Sequence, residues 1–569
     1  ASVIGRDFAF RILQTITGMR EELKSNLLNL QGLEFIYEKN LFPELEYIFK
    51  HALTQEVAYD SLLKQRRKEI HERVGQAIEE LYADRVEEYY ELLVHHYGRS
   101  GNAHKAIEYL ILAGEKSKKN KAAHAACEFY GKVFEVAKNA NVSLDPETEV
   151  RVRQGLAASN HDIGDINTAM EEYKKAIKIC REEDFVAREM DILAELAWTM
   201  WFTPIKSMKD EVIYFHEEAI ARAREVGNQA VESRILSVQG FYRSLLGDRY
   251  EGNEMIIDAE RIASKTGNPR AISFTRFQRA TSERWLGRPK DTIELTEGLI
   301  EAMRSSFNLS DTFFTISFIR GLALAEFGRI ENSILTLKEG IDVGEKFGGG
   351  FHLGRLYNGL GYSYREIYHS KRAWHYNLRS EEIARQLMEQ YPMSGSTAAE
   401  IVAQASVNLM ENLFDQGKLE EAWNRMKPFA EESKKDDFDR ARDRWEVRMD
   451  YLASQILLHR GKVGQAKRLV EKNLKITQRE HSKKMEGSFL RLLGEVQIRR
   501  GELDAALNNM GQAIHILLEV GNPRKIWEAY ASFASVFSKM GRLSDARYQW
   551  RMAADVINRT ANDLSDQDL

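Results

Sequence analysis

A small residue, or a stand-in for one, returns about every forty positions along this chain, with a second short residue five places later. The markers are Ser207, Gly247, Gly287, Gly328, Tyr368, Gly417, Gly461, Gly501 and Gly541. Their partners include Gly252, Thr292, Ser333, Ala373, Ala422, Ala466, Ala506 and Ala546. A third column lies seven places before the markers at Gly240, Ala280, Gly321, Gly361, Ser454, Gly494 and Ala534, where a bulky side chain would push two helices apart. Self-similarity at such a period marks a repeat array in which each unit packs on its neighbours. An array grows without a single core, so a length of 569 residues implies no particular number of domains.

Eight prolines, against abundant Ala, Leu, Glu, Lys and Arg, predict an all-helical chain with short connections. The pattern divides into about eleven hairpins, at 103–138, 146–182, 184–227, 228–266, 268–306, 309–347, 349–390, 396–435, 440–480, 482–520 and 522–560. Gly267-Asn268-Pro269 and Gly521-Asn522-Pro523 put glycine where a left-handed cap is wanted and proline where the next helix starts.

A net charge of -5 and a pI near 6.3 supply no electrostatic reason to bind nucleic acid. Cys127 and Cys180 are the only cysteines, too few for a disulfide framework or a cysteine-built zinc site, and a reducing, cytoplasmic setting is expected. No apolar run reaches the roughly 18 to 20 residues that span a bilayer, and no signal peptide is visible, so no membrane partner is expected. Ala1 already lies inside what reads as a structured segment, and the chain is expected to be a piece of something longer.

Gly101/Ala106/Ala113, Gly164/Ala169/Ala176, Gly501/Ala506/Ala513 and Gly541/Ala546/Ala553 resemble the columns of tetratricopeptide (TPR) repeats. The period exceeds the usual one by roughly six residues, nearly one extra turn in each helix. HEAT repeats are closer in length but lack these columns. The resemblance implies an all-α, right-handed, TPR-like superhelical solenoid. The excess around Tyr391-Pro392-Met393-Ser394-Gly395-Ser396 reads as an inserted, protruding loop and is expected to be the first site of proteolysis. The expected division is a winged-helix-like domain and following helix at 1–85, repeats at 86–390, the insertion at 391–396, and repeats with a tail at 397–569.

Residues 1–85 stand outside the repeat. Helices are expected at 7–17 and 21–31, then a two-stranded wing at Phe35-Ile36-Tyr37 and 45–49 across a Pro43 turn, then helices at 52–63, 64–83 and 86–99. Ala1-Ser2-Val3-Ile4-Gly5-Arg6-Asp7-Phe8, Phe49-Lys50-His51-Ala52-Leu53-Thr54-Gln55-Glu56-Val57-Ala58-Tyr59, Arg66-Arg67 and Ile70-His71-Glu72-Arg73 look like the segment following the nucleotide-binding module of bacterial STAND-type regulatory ATPases. That family includes predicted ATPases fused to class III adenylate or guanylate cyclases, and some transcriptional activators. His95-His96-Tyr97 continues the pattern into the first repeats. The resemblance implies that His51 touches the phosphate of a nucleotide held by an ATPase domain, and that this segment contacts such a domain. Read from the residues alone, His51 caps a helix or packs on the wing. No GxxxxGK[ST] occurs, and Gly348-Gly349-Gly350 lacks the following Lys-Ser/Thr, so neither a cofactor nor catalysis is expected of this chain.

No metal site is expected. His71-Glu72 begins like HExxH, but Gly75 occupies the second zinc position, and His95 and His96 are neighbours on a helix, expected to face different ways. Lys64-Gln65-Arg66-Arg67-Lys68 reads as a solvated helix face. The positions that face the groove in TPR arrays select Arg234, Phe241, Phe274, Phe277, Arg284, Phe318, Arg355, Asn358, Tyr362, Arg365, Arg448, Tyr451, Arg491 and Glu495. Arginines with aromatics suit a protein or peptide partner, an acidic one in particular. A one-position error in register would turn each side chain by about 100° into the helix packing. The expected function is a non-catalytic sensor region whose groove takes a protein, peptide or small ligand and controls an output domain; the alternative is a freestanding adaptor. Arg355 and Arg365 are expected to be exposed, so that removing both abolishes binding of an acidic partner and spares the fold.

Overall fold

Helices form where the apolar residues recur at helical spacing, and the marker glycines stop them. In this computed structural model Gly247, Gly287, Gly328, Gly417, Gly461, Gly501 and Gly541 all have positive φ, the backbone that closes a helix end. Tyr368 does the same work at φ 59°, a strained value for a residue with a Cβ. Ser207 does not: it lies inside the helix Ile205–Glu225. The structure describes the chain apart from residues 20, 41–43, 121, 204, 307–310, 348–349, 391–394, 441 and 566–568.

Among the described residues the helices of the eleven expected hairpins are present, and two compact units emerge: residues 1–160 with 175–183, and residues 161–174 with 184–569. The hairpins pair Ala103–Lys119 with Ala123–Ala140, Val186–Met200 with Ile205–Glu225, and Gln229–Leu245 with Arg249–Thr266, and the helices Pro146–Ile163 and Ile166–Glu182 follow one another between the first two of these. Next come Pro269–Trp285 with Pro289–Ser306, Asp311–Glu326 with Ile330–Phe347, Gly350–Glu366 with Ser370–Gln390, and Gly395–Asp415 with Leu419–Glu432. The last three are Arg442–His459 with Val463–Arg479, Lys483–Arg500 with Leu503–Val520, and Pro523–Lys539 with Leu543–Asn562. The chain is a TPR-like helical solenoid preceded by a small sheet-containing segment. No described helix is long and apolar enough to cross a membrane.

In the first unit, strands β1 (Asp7–Ala9), β2 (Ile36–Asn40) and β3 (Glu46–Phe49) form an antiparallel sheet in the order β1-β3-β2. The helix expected at 7–17 therefore begins only at Phe10, and the expected two-stranded wing gains a third strand. The reason is Phe8, which pairs opposite Tyr47 and packs its ring 5.8 Å from that of Tyr47 and 5.6 Å from that of Phe49. The helix expected at 52–63 ends at Asp60, and the one at 86–99 begins at Tyr90 after a short 3-10 segment, Ala83–Tyr89. The Pro43 turn lies outside the described residues. Ile12, Leu27, Val74, Ile78 and Tyr97 share one core with Ala106 and Tyr109 of the first hairpin.

In the second unit the three small columns meet. The markers' partners pack on the residues seven before the markers: Thr292 Oγ1 donates to the Ala280 carbonyl at 2.9 Å, and Ser333 Oγ to that of Gly321 at 2.6 Å. Two backbones touch where both positions are glycine, because a Cβ added to Gly240 would lie 2.6 Å from the Gly252 carbonyl oxygen. Asn228, Asn268 and Asn522 cap their helices, each accepting from the backbone N–H three residues on. The extra residues before Gly417 are taken up largely as helix, since Ser370–Gln390 and Gly395–Asp415 each run to 21 residues. Gly395 and Ser396 thus begin a helix and do not belong to a loop; the rest of the expected insertion, 391–394, lies outside the described residues, as does the proteolysis expected there.

These contacts predict two different outcomes for one substitution. Gly240→Ala drives a Cβ into backbone and should cost about 1–3 kcal/mol, whereas Gly494→Ala meets only the side chain of Met510, with Cε 2.7 Å and Cγ 2.9 Å away, and should cost less because a methionine can shift where backbone cannot. Urea unfolding of both variants checks this, and equal losses would count against the packing described.

Candidate functional site

Inside the second unit the later hairpins rest on the turns of the earlier ones. Asn522 uses its Oδ1 as a helix cap and donates from Nδ2 to the Glu326 carbonyl at 2.9 Å. Arg524 donates to the Arg365 carbonyl at 2.9 Å and to Asp415 at 2.6 Å. Arg440, fully buried, donates to the Trp201 carbonyl at 2.6 Å and lies 3.8 Å above the Trp201 ring. The first helices of the hairpins thereby enclose a chamber of about 140 Å³, walled by Trp201, Phe241, Trp285 and Phe318.

The charges in and behind the chamber's wall follow from one helix, of which Glu400 and Gln404 reach the chamber. On Gly395–Asp415, residues Glu400, Gln404, Asn408, Glu411 and Asp415 fall at spacings of four or three and so share a face. Arg444, Arg355 and Arg440 converge on Glu400 at 2.7, 3.2 and 3.4 Å. Arg448 donates to Gln404, Asn408 and Glu411 at 2.9, 2.5 and 2.5 Å. Arg365 pairs with Glu411 and with Asp415, each at 2.8 Å. Across the chamber, Lys484 and Arg284 share Glu326 at 2.6 and 3.2 Å. Burial alone would raise the Glu411 pKa, but Arg365 and Arg448 outweigh it and hold the carboxyl at about 2. Glu400 and Glu326 are lowered against burial in the same way, by Arg444 and Arg355 in one case and Arg284 and Lys484 in the other. Burial pushes Arg440 down to about 9 despite Glu400.

Of the residues selected from the sequence, Phe241, Arg284, Phe318, Arg355, Asn358, Tyr362 and Arg448 line this chamber together. Arg365, Arg491 and Glu495 line a second cavity of about 360 Å³, where Arg491 Nη2 donates to Tyr451 Oη at 2.6 Å. Phe277 is instead buried with Leu299, Ile300 and Ile316, and Phe274 packs edge-on at 5.6 Å against Trp198; Arg234 is buried over Phe274. Those three belong to the packing between helices; Arg284 and Phe241 on the same two helices do reach the chamber, so the difference lies in position along each helix and not in its register. Arg355 and Arg365 are not exposed charges, as expected from the sequence, but buried members of ion pairs. Sequence reasoning passed over Trp201, Trp285, Arg440, Arg444, Lys484 and their carboxylates. The spacing of 400, 404, 408, 411 and 415 was the available signal for the acidic side; Arg440 lies just after the short 3-10 turn Asp436–Asp439 and offers no periodic signal.

In the first unit His51 is exposed at the start of the helix Ala52–Asp60 and makes no capping hydrogen bond. His71, His95 and His96 come together, contrary to the expectation for neighbours on a helix. The His71 ring sits 6.0 Å from that of His95 and 5.2 Å from that of His96, because it enters between two side chains only about 100° apart. Burial, followed by His95 and Arg99, pushes His71 down to about 4, and burial, His95 and His71 push His96 to about 3.

Compared with known protein families and curated proteins, the chain matches none. Among solved structures it is similar to a Rap protein complexed with competence and sporulation factor, at 14% identity and a TM-score of 0.50 over 73% of this chain and 99% of that one. At such identity the likeness shows the fold alone. The quorum sensor NprR from B. thuringiensis aligns at 13% identity and a TM-score of 0.43, over 66% of this chain and 99% of NprR. A STAND protein with a tetratricopeptide repeat sensor from Pyrococcus horikoshii aligns at 13% identity and 0.31, over 64% of this chain and 58% of that one.

Arg365→Ala should destabilise the chain by about 1–3 kcal/mol, since it removes one of the two arginines that pair with each of the buried Glu411 and Asp415 and leaves Arg448 and Arg524 to hold them alone; thermal and urea unfolding measure it, and a loss under about 0.5 kcal/mol would contradict the burial. Acid should act through Glu411, Glu400 and Glu326, the buried carboxylates held low by their cations. Their folded pKa values lie below the unfolded ones, so their contribution is complete above about pH 5 and is lost as pH falls toward 2, with about 3 kcal/mol attached to Glu411. Urea midpoints between pH 7 and 2 should fall steeply for the wild type and less so for Glu411→Gln.

Proposed function

We propose that this chain is a non-catalytic sensor region, in which the chamber of the second unit takes a protein or peptide segment bearing acidic side chains and occupancy controls an output domain. The observation that carries the reading is the sharing of too few carboxylates by the cations. Arg355, Arg440 and Arg444 converge on Glu400, and Arg284 and Lys484 on Glu326, and of these five cations all but Arg440 face the chamber. A buried excess of positive charge is costly, and an anionic side chain relieves it. The aromatic walls add apolar and cation–π contacts, with Arg444 4.1 Å from the Trp285 ring. The similar Rap structure, with its bound competence and sporulation factor, is in keeping with a ligand held inside such a solenoid.

The first 85 residues fit the same reading as a winged-helix-like unit facing a nucleotide-binding domain, with His51 as its nucleotide sensor and residues 86–390 and 397–569 as the repeat blocks. Leu53, Val57 and Leu63 are 68%, 61% and 80% exposed beside His51, an apolar surface suited to such a domain. A cytoplasmic setting belongs to this proposal.

Selection from a random peptide library on the purified chain tests the chamber. Selected peptides should be enriched in Asp and Glu and should change tryptophan fluorescence, and Trp285→Ala should weaken them by at least about tenfold with unchanged circular dichroism. Peptides without acidic bias, or bound equally by the variant, would refute the assignment.

A further inference from the structure

The three histidines of the first unit lie outside the proposed ligand chamber and have no role in it. One nitrogen from each of His71, His95 and His96 falls within 4.8 Å of the others. The two buried rings are nearer still, with Nδ1 of His71 3.0 Å from Nδ1 of His96. That distance is close to the roughly 3.3 Å edge of a tetrahedron of nitrogens about 2.05 Å from a central ion. A hydrogen bond would account for two rings; it leaves the third unexplained.

The surroundings prepare these nitrogens as ligands. Tyr59 Oη lies 3.1 Å from Nε2 of His71, so a proton on Nε2 can be donated to the phenol, which leaves Nδ1 with its lone pair toward the cluster. Arg99 Nη1 donates to Nδ1 of His95 at 3.1 Å, so that nitrogen also carries a lone pair, and a cation already stands against it. Arg99 is exposed and free to swing into solvent. His71 and His96 are held by the packing of the helices Lys64–Leu81 and Tyr90–Ser100, whereas His95 is at the surface and gives an entry path and an open fourth position. We propose that His71, His95 and His96 form a binding site for one divalent transition-metal ion of borderline softness, with zinc as the type. Three neutral imidazoles with a solvent-facing fourth position suit such an ion better than calcium or magnesium, which require oxygen ligands.

The test is titration of the whole chain with Co²⁺ as a spectroscopic stand-in, followed by competition with Zn²⁺. One equivalent should bind with the intense visible bands of four-coordinate Co²⁺, and Zn²⁺ should bleach them. His95→Ala removes a surface ring and leaves the buried pair in place, so the fold should hold by circular dichroism while affinity falls at least about tenfold. His71→Gln should abolish the bands; if that variant fails to fold, the comparison of His95→Ala with the wild type decides. Absence of stoichiometric binding, six-coordinate bands, or an unchanged titration for His95→Ala would overturn the proposal.

Discussion

Close approach between paired helices is the constraint on which the second unit rests. At Gly240 and Gly252 there is no space for even a methyl group, and at Thr292 and Ser333 the short side chain reaches the facing backbone and bonds to it. Helices held this near leave little freedom in the angle between one hairpin and the next. Repeated with the same columns, the angle carries the later hairpins back onto the earlier ones, until the turn at Gly328 meets Pro523 and the turn at Gly287 meets Lys483. The chamber is a consequence of packing at positions that do not line it.

Closure of this kind would bury whatever the inner helix faces present, and what they present is mostly arginine. The charges are held because the helix Gly395–Asp415 supplies Glu400, Glu411 and Asp415 along one face, and because Trp201, Trp285 and Tyr368 offer ring faces on which guanidinium groups lie. Tyr368 shows how the two requirements meet. It takes a left-handed backbone where neighbouring repeats use glycine, and the side chain so gained stacks 4.3 Å from Arg524, which also ties Asp415 and the Arg365 carbonyl. The strain of that turn is offset by a contact that glycine could not make.

The solenoid was legible because helix-ending glycines and close-approach columns are local and periodic. Even the Gly-Asn-Pro turns at 267–269 and 521–523 stand where the sequence places them, with a left-handed glycine closing one helix and a proline opening the next. Seven of the fourteen residues selected for the groove, Phe241, Arg284, Phe318, Arg355, Asn358, Tyr362 and Arg448, reach the chamber because they obey the helical period. What periodicity does not carry is exposure. Arg355 and Arg365 lie on the expected side and are nonetheless buried, because burial there depends on hairpins more than forty residues away. Arg440 reaches Trp201 across 239 positions, a contact no local pattern encodes. The sheet was misjudged on a smaller scale: Asp7–Ala9 is too short to show alternation, and Phe8 becomes a strand residue only against Tyr47 and Phe49. His71 joins His95 and His96 from 24 and 25 positions away, which spacing along one helix does not reveal.

On the proposed reading, the size of the chamber has a consequence for how a ligand is sensed. About 140 Å³ holds a handful of water molecules or one side chain, not a length of peptide. A longer ligand therefore enters only as the later hairpins part from the earlier turns, breaking the contacts of Arg440 with Trp201, of Asn522 with Glu326 and of Arg524 with Arg365. Those bonds are absent from the opened state, and the free energy of breaking them is subtracted from the affinity. A carboxylate from the ligand gives the chamber's arginines an acceptor beyond the carboxylates they share in the closed state, so occupancy and opening favour each other. By linkage, anything that holds the closing contacts apart strengthens ligand binding by the same factor. The recognition site and the moving part are then the same set of arginines.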